Sequence, residues 1–278
     1  MRWFAVALVA LCAACASKPA VNTSQAQSRL AEAEARAAVL VRSGDLAGAA
    51  RQYDEALRIA ASVENADAVA ANALNLSVVY RWLGRDAEAR AALSHILDDP
   101  RRAFSERRRL QAELRRAIVE LALHNVDAAG TWAERAAKRC PGLACDYAAT
   151  ILNVQAQVAL ESSRPTDAMR LAQSAAERAR ARSDRVETAN ALRALGRAQR
   201  VQGNPAGAVK VLEQALALDR ELADPRKILA DLTELSLANS AAGDRQAARD
   251  YYERALAVSR AVQDARGIAE LEAQLRRP

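Results

Sequence analysis

One pattern recurs along this chain at a nearly constant period, and it leaves little freedom in the fold. Gly-x4-Ala-x3-(Tyr/Leu)-x2-(Ala/Ile)-Leu occurs as Gly44, Ala49, Tyr53, Ala56, Leu57 and as Gly84, Ala89, Leu93, Ile96, Leu97. It returns as Gly203, Ala208, Leu212, Ala215, Leu216 and as Gly243, Ala248, Tyr252, Ala255, Leu256. Weaker copies surround Ala129, Ala133, Ala136 and Ala168, Ala172, Ala175. The anchoring alanines stand at 49, 89, 129, 168, 208 and 248, so four spacings are 40 residues and one is 39. A period of this length marks stacked supersecondary units, each burying its apolar face on its neighbours.

The units are helical. Ala73, Leu76, Ser77 and Tyr80 precede the turn at Gly84, and Ala189, Leu192, Leu195 and Gly196 precede Gly203. Leu232, Leu235 and Ser236 precede Gly243. Spacings of three and four put one apolar stripe on each helix. The small residues let antiparallel helices approach closely while Leu and Tyr fill the gaps. Gly suits the left-handed residue that ends a first helix. Asp45, Asn125, Asn204 and Asp244 are expected to cap the second helices, with Pro165 and Pro205 at first helical positions. Hydrophobic residues make up 51% of the chain but aromatics only 4%, so Ala and Leu, both strong helix formers, dominate. No run alternates β-branched and polar residues as a strand would.

These motifs resemble the tetratricopeptide repeat family over residues 29–268. The resemblance implies an all-α, right-handed α-solenoid of six helix pairs, at about 30–69, 70–109, 110–148, 149–188, 189–228 and 229–268, with a cap over 269–278. The family's usual unit has 34 residues; units of about 40 are similar to those of kinesin light chains. The family also implies a concave groove lined by the first helices. By helical phase that face holds Asn75, Val78 and Arg81 in unit two and Asn153, Gln157 and Leu160 in unit four. In unit five it holds Asn190, Arg193, Arg197 and Arg200. Groove Asn side chains would hold a partner's backbone, and Arg would grip carboxylates of an acidic or C-terminal segment. Arg193 and Arg197 lie outside the packed stripe of Leu192 and Leu195, so their loss is expected to leave stability unchanged.

Other features bound the function. Arg2 followed by the apolar stretch Trp3 to Ala14 reads as an export signal over residues 1–14, too short to span a bilayer. Leu11-Cys12-Ala13-Ala14-Cys15 resembles a bacterial lipobox, with Cys12 in place of the usual Leu. It implies a lipid on Cys15, a flexible tether over 15–28 and, with Ala16 next, an outer-membrane anchor facing the periplasm. Cleavage after Ala16 would instead leave a soluble periplasmic protein. Cys140 and Cys145 flank Pro141-Gly142, which reads as a disulfide in an oxidising compartment, against half a zinc site or a redox pair. His95 and His124 have no ligand-spaced partners, and no phosphate loop or nucleophile motif occurs, so neither enzyme nor cofactor is expected. The net charge of +6 is interspersed with acids and accompanies no nucleic-acid motif. The densest run, Arg101 to Arg116, reads as a solvated helix start. The expected role is a scaffold binding a protein segment in the groove, for pilus, secretion or envelope assembly. The alternative is a lipoprotein that activates a cell-wall enzyme.

Overall fold

The computed structural model describes residues 24–276. Cys15, the leader and the tether up to residue 23 lie outside the described residues. Within them the chain is a run of helix pairs without strands: α1 Gln25–Ser43, α2 Leu46–Ser62, α3 Ala66–Trp82, α4 Asp86–Leu97, α5 Glu106–Ala122, α6 Val126–Lys138, α7 Ala148–Glu161, α8 Pro165–Ala181, α9 Arg185–Val201, α10 Pro205–Glu221, α11 Pro225–Ala241, α12 Arg245–Ala261 and α13 Ala265–Leu275. Each helix packs on its sequence neighbours, and from α3 to α11 the first helix of a pair also packs on the first helix of the next. The result is an α-solenoid with α3, α5, α7, α9 and α11 along one face.

The first helices begin about four residues ahead of the limits expected from the repeat motif, because each starts at its own cap. Asn65, Asp184, Asp224 and Asp264 accept backbone N–H bonds at the starts of α3, α9, α11 and α13. Residues 25–28, expected in the tether, are helical for the same reason. Ser24 Oγ accepts from Gln27 N, and Ser24 N donates to Gln27 Oε1, which closes a reciprocal capping box. Of the expected second-helix caps, Asp45, Asn204 and Asp244 bond backbone amides. Asn125 does not; its Nδ2 donates to Glu120 at 2.9 Å.

Gly44, Gly84, Gly203 and Gly243 carry the left-handed turns between paired helices, with φ of 70–85°. His124 and Ser163 adopt the same conformation in the two weak units, which places the otherwise unexplained His124 in a turn. Between units the left-handed residue is Glu64, Ser183, Ala223 or Gln263.

Packing changes along the stack. Helices α1 to α5 share one apolar cluster that includes Tyr53, Leu57, Val69, Leu76, Leu93 and Ile96. Helix α8 buries only alanines: Ala168, Ala172, Ala175, Ala176 and Ala179. Gly196 on α9 lies so close to Leu212 that an added Cβ would sit 2.5 Å from Leu212 Cγ. A disulfide joins Cys140 to Cys145 across the short turn between α6 and α7, with Cα atoms 5.6 Å apart.

Candidate functional site

The face formed by successive first helices is crossed by polar ties, and most of the arginines and asparagines expected in a groove take part in them. On α3, Arg81 donates to the Ile118 carbonyl of α5 at 3.0 Å and lies 3.7 Å from Asp86. Asn153 on α7 is buried, and its Nδ2 donates to the backbone carbonyl and carboxylate of Glu187 on α9. Asn190 accepts from Lys227 Nζ of α11 at 2.8 Å and from Arg193 at 3.1 Å. Arg197 reaches Glu161 at 3.1 Å and Glu234 at 3.0 Å, and Arg200 reaches Glu234 at 3.3 Å.

Arg193 departs furthest from expectation. Its side chain is 12% exposed and donates to Asp231 at 2.6 Å and to Asp219, carboxylates that are themselves buried. It therefore ties α9 to α10 and α11. The expectation that it could be removed without loss of stability is corrected: deleting it would strand two buried acids. Burial is the largest effect on Asp231 and drives its pKa up to about 7; Arg193 opposes this, and Asp219 adds to it. Lys227 is held below its ordinary range by burial and by the charge of Arg193.

What remains untied is a smaller set. Asn75 is exposed and Val78 half-buried on α3, and Gln157 is half-buried on α7. Among the described residues their side chains make no hydrogen bond. Arg115 on α5 joins them. It is half-buried yet makes no hydrogen bond or ion pair among the described residues. Burial lowers its pKa, the charge of Arg81 lowers it further, and Glu187 on α9 opposes both. In the sequence alone Arg115 belongs to a solvated charge run. The signal that finds it is the repeat itself, since Arg115 follows Asn75 by one period. The face thus offers amides, a methyl-bearing side chain and one unpaired guanidinium, which suits an extended acidic segment. Among the described residues no cluster of His, Cys, Asp and Glu could hold a metal, and no helix is long and apolar enough to cross a membrane.

Residues 147–221 and 187–261 match the tetratricopeptide repeat family model. No curated protein matches the chain in sequence. Among solved structures, a Rap protein complexed with competence and sporulation factor superposes with a TM-score of 0.65 at 15% identity, covering 89% of this chain and 70% of that one. The Cut9–Hcn1 hetero-tetramer of the APC/C gives 0.63 at 17%, covering 91% and 43%. Aspartyl phosphate phosphatase F from Bacillus subtilis gives 0.57 at 12%, covering 90% and 79%. At these identities the likeness is one of fold.

Proposed function

We propose, from the premise that the chain is a tetratricopeptide-repeat protein, that it is a non-catalytic scaffold binding an acidic segment of a protein partner along α3, α5 and α7. The observation that carries this reading is Arg115, a half-buried cation that makes no ion pair or hydrogen bond among the described residues, on the untied part of the inner face. A guanidinium in that state gains from an incoming carboxylate, because its hydration is already reduced and the one acid acting on it, Glu187, is bound by Asn153 and makes no ion pair with it. Asn75 and Gln157 flank it with free amides, the groups that hold an extended backbone. The arginines of unit five, by contrast, stay with Glu161, Glu234, Asp219 and Asp231 and shape the helix stack. The Rap protein complexed with competence and sporulation factor offers a parallel in fold.

The site of action in this reading is the bacterial envelope, with the chain tethered to the outer membrane through a lipid on Cys15. The support is the run Leu11 to Cys15 and the paired Cys140 and Cys145, which suit an oxidising compartment. Cys15→Ser should move the protein from the membrane fraction to the soluble periplasm; unchanged fractionation sinks the anchor. For the face itself, a photo-crosslinking amino acid at Val78 should capture a discrete partner in intact cells. One at exposed Lys210 on α10 should capture none. Equal yields at both positions would refute the assignment of the inner face.

A further inference from the structure

The first helices do not simply line an open groove. Trp82 closes the last turn of α3, four residues after Val78, so the two share a helix face. Its indole is 40% exposed, and the guanidinium of Arg226 lies over it at 5.0 Å. Arg226 belongs to the first turn of α11, four units further along the chain. Its guanidinium makes no ion pair or hydrogen bond among the described residues, and this ring is its one polar partner there. Around the inner face α3 packs on α5, α5 on α7, α7 on α9 and α9 on α11. The Trp82–Arg226 contact then returns the series to α3. Five first helices therefore form a closed circuit, and its closing link is a single pair of side chains, exposed Trp82 and half-buried Arg226.

We propose that this pair is a gate on the partner site, opened by an acidic segment that draws Arg226 from the indole onto its own carboxylate. The inference rests on the inner-face reading above and adds how that face is reached. Every other link in the circuit is a packed helix interface, whereas this one holds no apolar core and no hydrogen bond. A carboxylate offers Arg226 two donor–acceptor contacts in place of one ring contact, so exchange favours an acidic arrival. Arg115 lies inside the circuit and would receive the next acidic group along the segment. An uncharged or basic segment has nothing to offer Arg226 and finds the gate shut. The gate thus selects for charge at entry, before Asn75 and Gln157 engage any backbone.

The test uses the full chain carrying Trp3→Phe and Trp132→Phe, so that Trp82 is the sole tryptophan. The probe is a fluorescein-labelled octaglutamate, followed by stopped flow and by acrylamide quenching of Trp82. Binding should raise the quenching of Trp82, and Arg226→Gln should raise it without peptide. Trp82→Ala should speed association by about two- to fivefold, the range expected for losing one exposed cation–π contact. If octaglutamate binds wild type and Trp82→Ala at one rate, with Trp82 quenching unmoved, the gate is refuted while the inner-face site stands. If it binds neither, the gate and the acidic preference fall together, and the cross-linking at Val78 decides the face itself.

Discussion

Two parts of the same solenoid are stabilised in different ways. Between α1 and α4 one apolar cluster runs from Leu30 to Ile96, and its buried polar groups, Asn72 and Ser77, hydrogen-bond locally or to Glu34. Between α9 and α11 the interior admits charge: Asp219 and Asp231 are 2% and 0% exposed, with Arg193 between them and Lys227 beside it. The repeat motif is equally strong in both parts. Its alanines and leucines set the helix geometry, and whatever stands at the remaining positions decides whether a junction responds to salt and pH.

The sharpest way to break that contrast is Arg193→Ala. It removes the cation that bonds both buried carboxyl groups, leaves only Lys227 nearby, and should cost about 3–5 kcal/mol in urea unfolding. Asn72→Ala at the equivalent depth in unit two should cost about 1–3 kcal/mol, the loss of partnered hydrogen bonds alone. Similar losses at both positions would erase the distinction.

The pH dependence sharpens it further. A carboxyl whose folded pKa is raised to about 7 holds a proton in the folded chain while the unfolded chain has lost it. Stability from Asp231 is thus present in full below its unfolded pKa near 4, and declines as pH rises to about 7. The charged groups acting on it are Arg193 from α9 and Asp219 from α10. Asp231→Asn should change little at pH 5 and should melt higher than wild type, relative to that baseline, at pH 8. A constant difference between the two proteins across this range would contradict the assignment.

Packing gives a third comparison. Ala208 and Leu212 are both fully buried where α10 meets α9. Ala208→Leu should therefore cost about 1–3 kcal/mol, whereas exposed Arg220→Leu should fall within about 0.5 kcal/mol of wild type. The smallest effect concerns the turns. Ala223 is left-handed at φ 53°, so Ala223→Gly should raise stability by up to about 1 kcal/mol. The same change at Ala172, inside α8, should lower it by about 1 kcal/mol or more.

The helix count and pairing were legible because a fixed period carried an alanine at every contact. Helix starts were less so, since Asn65, Asp184, Asp224 and Asp264 stand outside the motif and declare themselves only as hydrogen-bond acceptors. The site was half legible. Helical phase finds Asn75 and Val78, and adding one period finds Arg115. Phase could not reveal that Arg193 meets Asp219 and Asp231, because those partners come from other helices. Nor could it pair Trp82 with Arg226, since that contact depends on how far the stack has curved after four units.

The seam of α8, alanine at every fully buried position with Met169 and Leu171 packed at its edges, has a mechanical consequence. Alanine has no side-chain rotamers to lose on burial, so α8 docks without side-chain entropy cost. It also removes little apolar surface from water per residue, so the docked state is held shallowly. A helix of this kind is easily seated and easily shifted, while the leucine-rich layers on either side resist sliding. Bending of the stack at α8 would act next to Gln157 and would alter the curvature that brings Trp82 to Arg226.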